Sequence, residues 1–431
     1  MRQLSILFLF LIGAMAITSC LEDECSASRE VYLYDPVYLT LDEIRSSELK
    51  VAESRAIEDP GKIYYQGSTM FISEKNQGVH IFDNSDPSNP QQTAFIEIPG
   101  NIDISFKGNH LIADSYLDIW MIDIKDPLSP ELISTIPDIN SSIYYYDESK
   151  DAYIVEYVQR QEPVRMDCSH PDFRQDYGWY YDDVIFANVE TGGIRGSDLA
   201  SWNSSNTTSG GGIAGSLSSF AIVGQYFYFI NGTDIHIYDI SDFTNPFFVN
   251  GFEVAWNIET LFPYKDNLFI GGQNGMYIYD NTDPTNPTYL SEFTHARACD
   301  PVFVVDNIAY VTLSEGTACN NFNNQLDVID ITNLTNPQLI KSYPMFKPKG
   351  LSVYNNTLFL ADSEAGVKIF DCTDSEAITA NRLSHIIGIT VHEVIHISPT
   401  HIIVVGQDGI FQFDVEDPSN PVELSRINTN I

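Results

Sequence analysis

The sequence is poor in basic residues: 22 Lys and Arg side chains stand against 59 Asp and Glu, which gives a formal net charge of −37. A surface this acidic repels nucleic acids and anionic membranes, so neither is an expected partner. It favours solubility and suits cationic or neutral ligands. Residues 4–17 form an apolar run, but this run is too short to span a bilayer and is typical of a signal-peptide core.

Catalytic and metal-binding motifs are also missing. The chain contains no glycine-rich phosphate loop before a helix, no G-x-S-x-G, no H-E-x-x-H and no C-x-x-C. His392, Glu393 and His396 read H-E-x-x-x-H, but they lie on a predicted strand, whereas a zinc protease needs a helix. No cofactor and no metal site are therefore predicted.

Six cysteines are too few for a disulfide scaffold and suit an oxidising envelope. Cys299 begins the innermost strand of its unit, and Cys319 lies in the loop after the second strand. Antiparallel pairing brings these two places to one end of the unit, so a bridge is expected. Cys372 and Cys168 fall on opposite faces and are not expected to pair.

A repeat is present instead. Eight times a short apolar strand ends in an aspartate or its equivalent, usually followed by Asp-Pro and Asn-Pro turns. The markers are Asp83, Asp123, Asn188, Asp239, Asp280, Asp330, Asp371 and Asp414. A period near 40 fits a four-stranded propeller blade or a pair of helices. Short β-rich runs and 21 prolines spread through the repeats favour the strands.

The repeated aspartates have a mechanical interpretation. Each carboxylate is placed to accept backbone N–H groups in an Asx-turn, and the following proline presets the turn. Because Asn188 replaces the aspartate in the third unit, a charge is not required. The residues four before and one before each aspartate are both apolar, which predicts a strand covered on both faces.

These units resemble the LVIVD repeat family, whose strands read LxVxDVSDPxxP, over roughly residues 61–431. The departures are Asn188, the missing proline pair after Asp371 and a long interruption of the third unit. The resemblance implies an all-β fold, a single β-propeller of about eight four-stranded blades, with seven as the alternative. It also implies a surface or secreted protein.

The N-terminal segment is predicted to be a targeting signal. Residues 1–19 look like a lipoprotein signal peptide, since Ile17-Thr18-Ser19-Cys20 resembles a bacterial lipobox; the alternative is a cleaved secretory signal. Glu22, Asp23 and Glu24 resemble a surface-export signal of Gram-negative lipoproteins, or are a plain acidic linker. Residues 20–60 would then be a tether and leader. We expect an outer-membrane lipoprotein of the cell envelope, exposed at the surface.

Two features are candidates for binding. Aligned by repeat, Glu259, Asp300, Lys349 and Glu393 share the entrance of the innermost strand, and Asp103 lies one step away. In a propeller this position surrounds the mouth of the axial channel, where carboxylates around a lysine suit a cation or a polar ligand. The alternative is a solvated funnel that selects nothing.

The second feature is the interruption at about residues 159–183. Long propeller loops are often functional, and this one is rich in aromatic residues, which provide large contact surfaces when they are exposed. Its aromatic residues are Phe173, Tyr177, Trp179, Tyr180 and Tyr181. The alternative is a lid that packs on its own propeller. A Ser/Asn/Gly-rich loop follows at residues 201–216, and we expect these elaborations to share the face of the channel mouth.

The sequence therefore predicts a lipid-anchored, non-enzymatic propeller that binds a glycan or a protein of the envelope through this elaborated face. One alternative is a glycoside hydrolase or lyase that uses Glu259, Asp300 or Glu393 as acid–base carboxylates. Another is a structural scaffold in an envelope complex. The ligand and the oligomeric state stay open.

Overall fold

The computed structural model describes residues 28–141, 143–167, 213–214, 219–256, 258–272, 274–294, 301–314 and 324–429. The chain divides into a small unit, residues 1–36 and 157–180, and a large unit, residues 37–156 and 181–431. Within the described ranges, no helix is long and apolar enough to cross a membrane.

The described residues of the large unit form seven antiparallel four-stranded meanders, here called blades 1 to 7. Blade 1 is β4 (Pro60–Gln66), β5 (Thr69–Glu74), β6 (Gly78–Asp83) and β7 (Gln91–Glu97), and blade 2 is β8 (Ile104–Lys107), β9 (His110–Ser115), β10 (Asp118–Asp123) and β11 (Glu131–Ile136). Blade 3 is β16 (Phe220–Val223), β17 (Tyr226–Asn231), β18 (Asp234–Asp239) and β19 (Phe247–Glu253). Blade 4 is β20 (Ile258–Tyr264), β21 (Asn267–Gly272), β22 (Gly275–Asp280) and β23 (Thr288–Thr294), and blade 5 is β24 (Val302–Val305), β25 (Ile308–Leu313), β26 (Gln325–Asp330) and β27 (Gln338–Pro344). Blade 6 is β28 (Leu351–Tyr354), β29 (Thr357–Ala361), β30 (Val367–Asp371) and β31 (Arg382–Ile386), and blade 7 is β32 (Val391–Ser398), β33 (His401–Gly406), β34 (Gly409–Asp414) and β35 (Val422–Ile427).

The first strands of successive blades contact one another, so the first strand of each blade is innermost and the fourth is outermost. Blade 1 carries two additional strands. On its axial side β15 (Ile213–Ala214) pairs with β4, and on its outer side β3 (Lys50–Ala52) pairs with β7. Part of the leader predicted for residues 20–60 thus belongs to the propeller sheet.

The blades close into a ring of seven. Blade 2 packs directly on blade 3, since Ile112 and Phe227 belong to one buried cluster and Ser134 Oγ donates to Phe243 O at 2.5 Å. Blade 7 packs on blade 1, where the Asn84 and Gln412 amides exchange hydrogen bonds of 2.8 and 2.7 Å. The propeller prediction is confirmed, and this packing selects seven blades, the alternative count, because no blade lies between blades 2 and 3.

The third sequence unit therefore does not contribute a blade to this ring. Its described residues form the hairpin of β12 (Tyr145–Asp147) and β13 (Ala152–Gln159), and Asn188 lies outside the described residues. Strand β2 (Tyr34–Leu39) precedes helix α1 (Leu41–Arg45), which begins at a capping box of Thr40 and Glu43. In the small unit, β1 (Ser28–Val31) pairs with β14 (Val164–Asp167).

The seven signature aspartates form the Asx-turns that the sequence indicated. In every blade the carboxylate accepts the N–H of the residue two positions later, at 2.7 to 2.9 Å. The acceptors are Asp83, Asp123, Asp239, Asp280, Asp330, Asp371 and Asp414. Three residues further on, a second Asp or Asn repeats the bond in every blade. Each repeat turn is therefore held by two side-chain acceptors in series.

Neighbouring blades are joined through these turns. An outer-strand serine donates its hydroxyl to the carbonyl four residues after the signature aspartate of the next blade. The pairs are Ser134 with Phe243, Ser291 with Leu334, Ser384 with Pro418, and Ser425 with Pro87, at 2.5 or 2.6 Å. The repeat turn thus stabilises its own blade and the contact with the preceding one.

Candidate functional site

Strand pairing defines the set of residues at the entrance of the innermost strands. Each blade contributes the residue just before its first regularly paired apolar position. The set, here called the entrance ring, is Lys62, Asp103, Ser219, Thr260, Pro301, Gly350 and Glu393. Glu259 and Lys349, predicted from sequence alone, lie one residue before this set; in blade 4 a register irregularity between Ile258 and Thr260 shifts the count.

The entrance ring has one cation at its seven positions, Lys62. The Lys62 ammonium forms an ion pair with the Asp103 carboxylate of blade 2, and both side chains are buried. Glu393 of blade 7, also buried, exerts a favourable Coulombic field on Lys62 from the other side. Blade 1 is therefore held between carboxylates of both neighbouring blades. Burial nevertheless lowers the pKa of Lys62, because desolvation outweighs these charges.

The Asp103 carboxylate also connects blade 2 to blade 3. Ser219 donates its hydroxyl to Asp103 Oδ2 at 2.6 Å and its backbone N–H at 3.3 Å. A single buried carboxylate thus bridges the entrance residues of three successive blades. Burying a charge is costly unless it is paired and hydrogen-bonded, and here both conditions are met at Oδ2.

A second buried carboxylate, Asp114, lies behind this pair at the end of β9. It accepts the backbone N–H groups of Ile102 and Asp103 at 2.7 and 2.9 Å and the Asn101 amide at 2.9 Å. Desolvation raises the pKa of Asp114 to about 7, and the nearby Asp103 charge adds to the rise, while the N–H bonds and Lys62 oppose it. The channel entrance therefore holds a carboxyl group that titrates near neutral pH.

This capping carboxylate occurs in two further blades, always nine residues before the signature aspartate. Glu74 accepts the N–H of Asp59 at 2.6 Å and contacts His80 Nε2 at 2.8 Å. Asp362 accepts the N–H of Lys347 at 2.8 Å. In each case a buried second-strand carboxylate fixes the loop that leads into the innermost strand of the same blade.

The remaining predicted channel residues lie around the same entrance. A side chain larger than hydrogen at Gly350 would meet the Glu393 carboxylate at 2.5 Å, so blade 6 provides a glycine to accommodate it. Lys349, one residue earlier, lies within Coulombic range of Glu364. Glu259 is half-buried at the start of β20. The structure thus groups Asp103 and Glu393 around Lys62, and it leaves Glu259 and Lys349 one position outside the entrance ring.

Several predicted sites fall outside the described residues. They are the lipidation and export residues Cys20, Glu22, Asp23 and Glu24, the aromatic residues Phe173, Tyr177, Trp179, Tyr180 and Tyr181, the proposed bridge of Cys299 and Cys319, and Asp300. Within the described part of the chain, Cys372 is a buried free thiol, and no group of three or more His, Cys, Asp or Glu side chains is arranged to hold a metal ion.

A different surface was not anticipated from the sequence. The outer-strand position opposite the residue before each signature aspartate is apolar and exposed in four successive blades: Leu132, Phe248, Tyr289 and Leu339 are 40, 53, 54 and 47% exposed. The same position is Arg382 in blade 6, Glu423 in blade 7 and Gln92 in blade 1. With Phe247, also 53% exposed, the four apolar side chains form what we call the apolar rim.

The sequence carries a signal for Lys62 and for the capping carboxylates, but it carries none for the apolar rim. Lys62 is a lone charge in an apolar inner strand, and including the first unit in the repeat alignment would have placed it beside Asp103. Asp114 and its equivalents recur at a fixed distance from the signature aspartate. The apolar rim carries no such signal, because exposed and buried apolar residues on an outer strand look alike in sequence.

A comparison with known families accords with this geometry. The sequence profile of the LVIVD repeat matches residues 214–253 and 300–344. The chain contains LVIVD repeats in these two segments. The first runs from the end of β15 through blade 3, and the second covers blade 5.

Solved structures with similar backbones share little sequence with this chain. BamB from Moraxella catarrhalis is 9% identical with a TM-score of 0.47, over 90% of this chain and 97% of that one. Sqt1 from Saccharomyces cerevisiae is 9% identical with a TM-score of 0.49, over 88 and 87%. Hsv2 from Kluyveromyces marxianus is 8% identical with a TM-score of 0.46, over 86% of this chain and 100% of that one. No curated protein sequence matches the chain.

Proposed function

We propose that this LVIVD-repeat propeller is a non-enzymatic interaction protein that binds a protein partner through the apolar rim. The supporting observation is the asymmetry of the outer strands: one repeat position is apolar and exposed in blades 2 to 5 and polar in blades 6, 7 and 1. A purely structural repeat has no reason to differ between the two halves. Exposed apolar side chains grouped on one part of a surface are typical of protein contact sites.

The aromatic members of the rim are held in place for contact. The Phe248 ring packs edge-to-face on Tyr238 at 5.5 Å between centroids, and Tyr289 does so on Tyr279 at 5.6 Å. A side chain that is already ordered loses less entropy on binding. The net charge of −37 favours a partner with basic groups around its apolar contact.

The carboxylates at the channel entrance support the same function over hydrolysis. Asp103 is buried in an ion pair with Lys62 and a hydrogen bond from Ser219, an arrangement that joins blades. A catalytic acid or base must reach the substrate in a cleft. The chemistry of the entrance is therefore assigned to stability, and the aliphatic residues Leu132 and Leu339 in the rim favour a protein over a glycan as ligand.

Site-specific photocrosslinking tests the rim. A photoreactive phenylalanine analogue placed at Phe248 should crosslink one defined protein on intact cells, and the same analogue at Glu423, the equivalent position of blade 7, should not. Equal crosslinking from both positions, or none from position 248, would contradict the proposed interaction surface.

We further propose that Cys20 is acylated and tethers the propeller to the outer membrane, on the strength of the lipobox pattern. A fatty-acid probe should label the parent protein, and the Cys20→Ala variant should lose the label and leave the membrane fraction. Persistent labelling of the variant would exclude this anchor. Protease treatment of intact cells checks surface exposure separately, and replacement of Glu22, Asp23 and Glu24 by alanine should give protection.

A further inference from the structure

We infer that the outer edge of blade 3 accepts an extended peptide segment as a fifth strand, and that the segment carries a basic side chain toward Asp234 and Glu253. This inference rests on the proposed interaction role and names the kind of partner and the contact it makes. It is carried by blade 1, where the corresponding edge is already occupied by a strand of this chain.

Blade 1 shows how such a strand binds. β3 pairs antiparallel with the end of β7, with Lys50 opposite Glu97, Val51 opposite Ile96 and Ala52 opposite Phe95. The equivalent residues of blade 3, counted from the signature aspartate, are Glu253, Phe252 and Gly251. An exposed sheet edge of this kind is the general template for adding a strand from a partner.

The backbone groups of blade 3 at this edge point outward. In blade 1 the Ile98 N–H donates inward to Gln77 O at 3.0 Å, and in blade 3 the Val254 N–H donates to Thr233 O at 3.0 Å. Because successive residues of a strand alternate in direction, Gly251 and Glu253 present their N–H and C=O groups to the outside. The Gly251 N–H donates to its neighbour Asn250 Oδ1 at 2.9 Å, a local bond that an incoming carbonyl would replace.

The edge has the length and shape for pairing. Every blade has a register irregularity between the residues two before and one before the signature aspartate, which in blade 3 is between Ile237 and Tyr238. Such bulges bend an outer strand and interrupt a continuous edge. The three residues from Gly251 to Glu253 lie beyond this irregularity in a regular ladder, as do the three residues of β7 that pair with β3.

Charge and apolar surface specify the occupant. Asp234 lies directly opposite Glu253 on the neighbouring strand, and like charges in this position repel each other. A cation on the added strand would relieve that repulsion. Beyond the other end of the edge, Phe247 and Phe248 of the apolar rim are both 53% exposed and suit apolar side chains of the same partner. The paired carboxylates and the neighbouring apolar side chains therefore favour a segment that alternates basic and apolar residues over a second copy of this acidic chain.

The test uses the full chain and a synthetic peptide of residues 47–54 in which Glu48 and Glu53 are replaced by glutamine. Hydrogen exchange with mass spectrometry should show new protection in the peptide fragment that contains Gly251 to Glu253. A version of the peptide with Lys50 replaced by glutamate should bind about three- to fivefold more weakly, as expected for one cross-strand charge contact.

A proline substitution separates backbone pairing from other modes of binding. Glu253→Pro removes an outward N–H at an edge position where proline is tolerated, so the fold should persist while peptide binding is lost. Thr294→Pro at the equivalent position of blade 4 is the matched control and should leave binding unchanged. Unchanged binding in Glu253→Pro, or loss of protection at residues 50–52 because the peptide displaces β3 from blade 1, would overturn the inference.

The two proposals can fail separately. If the peptide does not bind at millimolar concentration while position 248 still crosslinks its partner, strand addition is wrong and the rim proposal stands. If position 248 fails to crosslink while the peptide protects the edge of blade 3, the edge binds a strand and the rim is not the contact surface.

Discussion

The channel entrance buries charged side chains, whereas the apolar rim exposes apolar ones to solvent. At the entrance, Lys62, Asp103 and Glu393 are charged and at most 3% exposed, whereas at the rim Phe248 and Tyr289 are apolar and more than half exposed. Buried charge and exposed apolar surface are both uncommon and both need a reason. The difference indicates that the inner ends of the blades are specialised for holding neighbours together and the outer strands for meeting a partner.

Replacing the central lysine should have the largest effect on stability. Lys62→Met leaves the Asp103 and Glu393 carboxylates buried without their cation, and breaking a buried ion pair costs about 3–5 kcal/mol of unfolding free energy. Denaturant unfolding measures this loss. The double variant Lys62→Met/Asp103→Asn is the control, since it removes both charges and should recover part of the loss. A change below about 1 kcal/mol in the single variant would show that the pair is not structural.

The Asp114 carboxyl should make stability depend on pH. Its pKa is raised from 3.8 to about 7 in the folded protein. Between these values only the folded state holds the proton, so the free energy of unfolding decreases as the pH rises through this window, by about 4 kcal/mol in total. Asp114→Asn stays neutral at every pH, so it should escape this loss.

Subtracting the unfolding free energy of the parent from that of Asp114→Asn at each pH cancels the contributions of the other titrating groups. At pH 4 the variant and the parent should be about equally stable, because Asp114 is then protonated in the folded protein and both side chains offer a neutral carbonyl oxygen to the N–H groups of Ile102 and Asp103. At pH 8 the variant should be more stable by about 4 kcal/mol, because only the parent has lost the stability that depends on the Asp114 proton. Parallel stability curves for the two proteins would show that Asp114 does not titrate in this range.

A repeat-turn aspartate should have a smaller effect. Asp239 accepts the N–H of Ser241 at 2.8 Å and the Gln225 amide at 3.0 Å, and Asp239→Ala should cost about 1 kcal/mol. These bonds lower the pKa of Asp239, so their contribution is present above its unfolded pKa and is lost as the pH falls through the folded value. Thermal unfolding at pH 7 and pH 3 should show a larger difference between the proteins at pH 7 than at pH 3.

The rim should contribute least to stability. Phe248→Ser and Tyr289→Ser should each lower the unfolding free energy by about 0.5–1 kcal/mol, because each half-exposed ring loses mainly its edge-to-face contact with Tyr238 or Tyr279. Binding to the crosslinked partner should nevertheless be abolished. Gln92→Ser at the equivalent position of blade 1 is the control for binding. A large loss of stability in the rim variants would show that these rings are part of the core.

The sequence predicts the blades well because the residues that define each signature strand and its turn are close together in the chain. Each signature strand, its Asx-turn and the following proline pair lie within about a dozen residues, and the structure has all seven aspartates in that turn. The number of blades is different. The pattern around Asn188 resembles the others locally, but long-range contacts such as that of Ser134 with Phe243, across 109 residues, show that blades 2 and 3 are neighbours.

The site was harder to predict for the same reason. Lys62 and Asp103 meet because two inner strands enter the ring side by side, and nothing near either residue in the chain indicates the other. A single irregularity in β20 was enough to exchange Glu259 for Thr260 in the alignment. Counting residues locates a strand, whereas its pairing decides which side chain reaches the entrance.

Ring closure between two complete blades has a consequence for how the chain can be cut. The first and last blades meet through Ser425 and Pro87 and through the Asn84–Gln412 pair, and Ile57 forms a parallel bridge with Thr429. The two ends of the propeller are therefore adjacent in space, and no sheet is shared between them. A short linker from residue 429 to residue 57, with new termini opened between blades 5 and 6, would leave all seven four-stranded meanders unbroken. Circular permutation thus offers a way to present the rim or the edge of blade 3 from a different point of attachment.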